Sequence, residues 1–253
     1  MNRLKNKHIL ITGASRGLGY ELALAFAREG PAGLSLVARS GSLLNKLRDS
    51  ILQYAPAIKM VVIEADMAIP KDVERIAATT LSAFGGQLDV LVNNASTIGP
   101  SPIPFLLDYP LEDFQHVLST NLVGPFFMIR TILPSMMEHG GSIINVTSDA
   151  GVVGYAGWGA YGISKFGLEG LSQTWASELE DSRVRVNLVD PGNMNTAMHR
   201  AAEPDEDPNE WADPSSVTGV FLFLASDESR FITGRRFQAQ ENWREMLNTS
   251  QHG

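Results

Sequence analysis

Short apolar runs alternate with longer amphipathic stretches along almost the whole chain. His8-Ile9-Leu10-Ile11-Thr12, Leu34 to Ala38, Met60 to Ile63, Leu88 to Val92, Ile143 to Val146 and Val184 to Val189 are compact and nearly all apolar. Strands of that kind are covered on both faces, as in a parallel sheet. Between them, Gly17 to Glu29, Leu43 to Tyr54, Val73 to Phe84, Glu112 to Met137, Gly159 to Leu179 and Val217 to Leu224 carry apolar residues at helical spacing. Arg236 to Ala239 reads as a short edge strand. The alternation predicts one α/β domain over residues 1–253, a doubly wound parallel sheet of about seven strands with helices on both faces. Ligands of such sheets bind at the carboxyl ends of the strands. An acidic stretch, Glu203 to Glu210, falls just after the sixth strand. It predicts a loop insertion over about 194–212 beside the ligand face.

Composition narrows the partners. The formal net charge is −8, with 44% hydrophobic and 19% charged residues. An acidic chain lacks the clustered Lys and Arg that nucleic acid or an anionic membrane needs, so neither is expected as a partner. There is no cysteine, which removes disulfides and thiolate metal sites and points to the cytoplasm. Met1 to Lys7 shows no signal peptide, and no apolar run reaches the ~20 residues of a membrane helix. The five histidines show no metal-ligand spacing, so no metal site is expected. No G-x-S-x-G elbow is present, which sets a serine hydrolase aside.

The first strand runs into Thr12-Gly13-Ala14-Ser15-Arg16-Gly17-Leu18-Gly19, which opens the first helix. Glycines there let the chain turn tightly and bring a helix N-terminus to a pyrophosphate. This gives the sheet a Rossmann-type reading, with Gly13, Ser15, Arg16, Gly17, Leu18 and Gly19 as cofactor contacts. The second strand ends in Ala38-Arg39-Ser40, with no acid to grip a ribose 2′-hydroxyl. Arg39, helped by Ser40 and Arg16, offers charge-assisted hydrogen bonds to a 2′-phosphate instead. The expected cofactor is NADP(H) rather than NAD(H).

Further motifs follow in order: Asp66, Asn93-Asn94-Ala95, Asn121, Ser148, Tyr161-Gly162-Ile163-Ser164-Lys165 and Pro191-Gly192. In this order and spacing the chain resembles the short-chain dehydrogenase/reductase family, over roughly Lys7 to Gly234. Tyr161 and Lys165 are four apart on a helical pattern, so they share one face. An ammonium beside a phenol favours the phenolate and predicts a lowered tyrosine pKa. The resemblance implies that Tyr161 is the general acid/base and Lys165 holds the nicotinamide ribose. It implies that Ser148 orients the substrate oxygen and that the Asn121 main chain holds a relay water. Pro125, four residues on, has no N–H and frees the Asn121 carbonyl from its helical bond. By the same resemblance Asp66 and Met67 meet the adenine, Asn93 and Ala95 line the cofactor, and Pro191, Gly192, Met194 and Thr196 hold the nicotinamide.

The activity so implied is hydride transfer between NADP(H) and a small carbonyl or secondary alcohol, by a homodimer or homotetramer. Trp158, Tyr155, Val153, Ile98, Met194 and Met198 predict an apolar pocket wall. Two alternatives stand beside this reading. A non-catalytic NADP(H) sensor would not need Ser148, Tyr161 and Lys165. A methyltransferase of related fold would want an acid where Arg39 stands. The chain departs from the family in Ser96, where glycine is usual, and in its end. Thr233-Gly234 leads into Arg235-Arg236-Phe237-Gln238-Ala239-Gln240 and an atypical tail over about 238–253.

Overall fold

The structure is a computed structural model that describes residues 2–248. Seven parallel strands form one sheet in the order β3-β2-β1-β4-β5-β6-β7. They are β1 (His8–Thr12), β2 (Gly33–Ala38), β3 (Lys59–Glu64), β4 (Val90–Asn93), β5 (Gly141–Val146), β6 (Val184–Asp190) and β7 (Arg236–Gln238). The chain order reverses direction across the sheet between β1 and β4, which leaves a crevice at their carboxyl ends.

Side chains alternate between the two faces of each strand, and the two cores follow that period. Ile9 and Ile11 of β1 join the cluster under α1 (Gly17–Arg28), α2 (Gly41–Tyr54) and α8 (Thr218–Ala225). Leu10, between them, joins the opposite cluster under α3 (Pro70–Ala83), α5 (Gly124–His139) and the end of α6 (Gly159–Glu178). Burial of each such side chain stabilises the fold by about 1.5–3 kcal/mol. One chain of buried amides and hydroxyls links the layers. Asn93 Nδ2 donates to Asn145 Oδ1 at 2.8 Å, and Asn145 Nδ2 donates to Ser172 Oγ at 2.8 Å.

The long helical stretch is interrupted. α4 (Leu111–Leu118) passes through one π turn, Ser119–Val123, into α5. The Gly124 N–H reaches back to the Ser119 carbonyl, and Pro125 has no N–H to continue the α pattern. End to end these elements run from Leu111 to His139, a described helix long and apolar enough to cross a membrane. That corrects the expectation that no apolar run has this length. Met128, Ile129, Ile132 and Met136 on it are buried in the core, so the composition follows from packing on the sheet.

The segment after β6 is pinned at both ends. Asn195 N–H donates to the Ala212 carbonyl at 2.9 Å, and Ala212 N–H to the Asn193 carbonyl at 3.1 Å. Within it lies a short helix not foreseen in the sequence, α7 (Ala197–Ala202), capped by Thr196. After β7, Gln240 Nε2 donates to the carbonyls of Pro191 and Asn193 at 2.9 Å each, and the described residues end in α9 (Trp243–Asn248). The rest of the expected tail, 249–253, lies outside the described residues.

Candidate active site

The loop between β1 and α1 is built around two left-handed glycines, Gly13 (φ 70°) and Gly17 (φ 56°). The Thr12 hydroxyl accepts the N–H groups of Asn94 and Ala95 at 3.1 and 3.0 Å, and the Asn94 amide donates to the Thr12 carbonyl at 2.9 Å. These bonds fix the loop to the end of β4. α1 starts with Arg16 at its N-cap, no side chain capping it and no acid in its first turn. Its first N–H groups therefore face the crevice with a partial positive charge.

That crevice is a cavity of about 670 Å³. Gly13, Ser15, Arg16, Gly17 and Leu18 line it from the first loop, and Arg39 and Ser40 from the end of β2. Asp66, Met67 and Ala95 line it from the ends of β3 and β4, and Pro191, Met194 and Thr196 from the end of β6. Tyr161 and Lys165 of α6 close its far end. Three expected cofactor contacts, Gly19, Asn93 and Gly192, do not line it. Gly19 is buried, and a Cβ there would run into the Gly13 carbonyl and the Asn94 amide, so this glycine serves close packing within the loop. Asn93 points into the buried Asn145 pair.

A second, smaller cavity of about 80 Å³ adjoins the first, and Tyr161 lines both. Ser148 and Gly192 lie on the small cavity alone. Ser148 follows β5 and caps a short turn, with its Oγ accepting the Ala150 N–H at 3.2 Å. Ile98, Met194, Met198 and Trp158 form apolar walls as expected. Val153 and Tyr155 line neither cavity and are about half exposed.

Tyr161 and Lys165 are buried on one face of α6, with the ammonium 5.4 Å from the phenol ring centre. Lys165 Nζ donates to the Val146 carbonyl at 2.8 Å. Burial draws the Lys165 pKa down to about 8, against the pull of Asp190 and Glu169. Burial pushes the Tyr161 hydroxyl above its ordinary value, opposed by the Ser148 hydroxyl and reinforced by Asp190 and Asp149. The expected lowering by Lys165 is thus not found in the protein alone, because desolvation dominates. Asn121 lies in the π turn and lines neither cavity. Its side chain accepts from Thr97 N–H at 2.9 Å and donates to the Thr97 carbonyl at 2.8 Å and to Ser164 Oγ at 3.0 Å.

A family model described as short chain dehydrogenase matches residues 7–207. The chain belongs to the short-chain dehydrogenase family. An uncharacterised oxidoreductase, YciK, from Escherichia coli is 32% identical over 94% of this chain and 93% of its own. A 3-oxoacyl-[acyl-carrier-protein] reductase of Thermotoga maritima is 33% identical over 92% and 96%. Among solved structures, a short-chain dehydrogenase from Pseudomonas syringae superposes with a TM-score of 0.89 at 37% identity, covering 94% and 96%. One from Shigella flexneri, solved with NADP, gives 0.86 at 30% identity, covering 95% and 100%. The chain is thus an oxidoreductase of this family.

One element of the candidate site escaped the sequence reading: Arg236, from edge strand β7, bonds to the segments that carry Ser148 and α6. Its guanidinium donates to Glu169 Oε1 at 3.0 Å, Asp190 Oδ2 at 2.8 Å and the Ser148 carbonyl at 3.2 Å. Glu169 also accepts from the Thr147 hydroxyl at 2.7 Å. One cation therefore ties β5, β6 and α6 together, and both of its carboxylates are at least nine-tenths buried. The departing chain end around Arg235-Arg236 was the signal available.

Proposed function

We propose that the protein transfers a hydride between NADP(H) and the carbon of a small carbonyl or secondary alcohol. The observation that carries this is the junction at Tyr161, where a large cation-lined cavity meets a small one walled by Ser148. The large cavity fits a pyrophosphate cofactor. A bare helix N-terminus opens into it, and Arg16 and Arg39 line it without a carboxylate within ion-pair distance among the described residues. Arg39 at the end of β2 is the candidate for a 2′-phosphate, and Asp66 for the adenine amine.

NADPH, when bound, would supply the hydride and so be oxidised to NADP⁺. In reduction Tyr161 gives its phenolic proton to the carbonyl oxygen as the carbon becomes an alcohol carbon. Its raised pKa keeps that proton in place at neutral pH, so the free site is set as an acid. Ser148 holds the substrate oxygen beside the phenol, stabilising the charge that grows there. Lys165 is a nearby cation that compensates the phenolate left behind, and the Asn121 carbonyl is the candidate anchor for a water that returns the proton. A copy-to-copy interface along α5 and α6 is expected, where Phe126, Ile163 and Phe166 are exposed.

The test is NADPH oxidation, followed optically, with a panel of small ketones and aldehydes. Turnover that disappears in Tyr161→Phe while NADPH still binds supports the reading. NADPH binding with no turnover of any carbonyl would favour a cofactor-binding sensor instead.

A further inference from the structure

The two cavities divide charge between them. The large one is lined by Arg16, Arg39, Lys165 and Arg200, with Asp66 as its only acid. The small one is lined by Asp149 and Asp190 and by no Lys or Arg. Asp190 is neutralised by Arg236 at 2.8 Å. Asp149 has no Lys, Arg or His nitrogen within 4 Å among the described residues. It is therefore the unbalanced charge at the substrate end.

Asp149 also holds a proton the reaction needs. Ser148 Oγ donates to Asp149 Oδ1 at 2.9 Å, and the same oxygen takes the Ala150 N–H at 2.8 Å. A serine hydroxyl has one hydrogen, and a carboxylate only accepts. While that hydrogen points at Asp149 it cannot point at a substrate oxygen. A substrate bearing its own O–H or N–H close to the reacting carbon satisfies Asp149 and frees the Ser148 hydrogen for the reacting oxygen. A substrate carboxylate in the same place meets Asp149 as a like charge. Ser148 Oγ and Asp149 Oδ1 are 2.9 Å apart on the same wall of the small cavity, so a donor that meets Asp149 while the reacting oxygen meets Ser148 sits close to the reacting carbon.

Resting on the dehydrogenase reading above, we infer that Asp149 selects uncharged substrates with a hydroxyl or amine donor adjacent to the reacting carbon: α-hydroxy ketones in reduction, vicinal diols in oxidation. Anionic keto acids are rejected by the same residue.

Four probes test this with NADPH: hydroxypropanone against methoxypropanone, which lacks only the donor, and methyl 2-oxopropanoate against 2-oxopropanoate, which adds only the charge. Wild type is expected to favour hydroxypropanone and the ester by at least about tenfold in kcat/KM, the scale of a hydrogen bond to a charged group. Asp149→Ala should bring the first ratio close to one. Asp149→Asn, which keeps an acceptor but no charge, should mainly raise turnover of 2-oxopropanoate. Asp149 is exposed, so both variants should melt as wild type does. Ratios near one in wild type, or ratios unchanged in both variants, would overturn the role of Asp149 and leave the dehydrogenase reading standing. Absence of turnover with all four probes and with the wider carbonyl panel would overturn both.

Discussion

The two halves of the sheet treat their cations in opposite ways. On the β1–β2 side, Arg16 and Arg39 are exposed at the crevice, and neither has a described carboxylate within reach. On the β5–β7 side, Arg236 is bound by two buried carboxylates and a carbonyl. An arginine whose donors are taken by buried carboxylates holds structure, whereas an exposed arginine lining the crevice can offer its donors to an anion. Under the proposed function the contrast separates residues that build the site from candidates for holding the cofactor.

The largest effect that would sharpen this comparison lies at the junction. Tyr161→Phe should lower kcat by about 10²–10⁴ with little change in NADPH affinity, measured by steady-state kinetics and cofactor titration. Loss of cofactor binding in step with kcat would mean that the two cavities are not separate in function. Next comes Arg236→Met, which strands Glu169 and Asp190 without their cation. Breaking a buried pair this way costs about 3–5 kcal/mol, so the melting temperature should fall steeply. Arg236→Met with Glu169→Gln and Asp190→Asn should recover much of it. An equal loss in the single and triple variants would show that the network is not electrostatic.

The sequence made the scaffold legible because its signal is periodic. β1 alternates Ile9, Leu10 and Ile11 between two cores, and every strand predicted is present. α7 was missed because six residues between a Thr cap and an acidic loop carry little period. The site was legible where chemistry depends on local spacing, as for Tyr161 and Lys165 on one helix face. It was not legible where position depends on distant partners. Arg236 meets residues 46, 67 and 88 positions away, and no local pattern announces that. Gly19 and Asn93 sit within the right motifs, yet their contacts turn inward, because a motif fixes residue type without fixing which way a side chain faces. The direction of the Tyr161 shift also needed burial, which spacing alone does not give.

A smaller effect comes from pH. Lys165 has a folded pKa of about 8 against an ordinary 10.5, so it loses its charge as pH rises through about 8. Carbonyl reduction that relies on this cation should decline above that point. Stability should move the other way. Between about 8 and 10.5 the unfolded chain holds a proton on this lysine that the folded chain does not, so stability rises with pH there. Lys165→Met should abolish both trends, checked by a pH–rate profile and by denaturant melts over the same range.

The most direct test of the central claim is a fluorescence titration of the purified protein with NADPH and, in parallel, NADH. The unfilled cations of the β1–β2 side predict tighter NADPH binding, by about ten- to a hundredfold, the scale of charge-assisted bonds to one phosphate. In Arg39→Ala that advantage should shrink while NADH affinity holds. Equal or better binding of NADH by wild type would contradict the account, because Arg39 would then not be waiting for a phosphate.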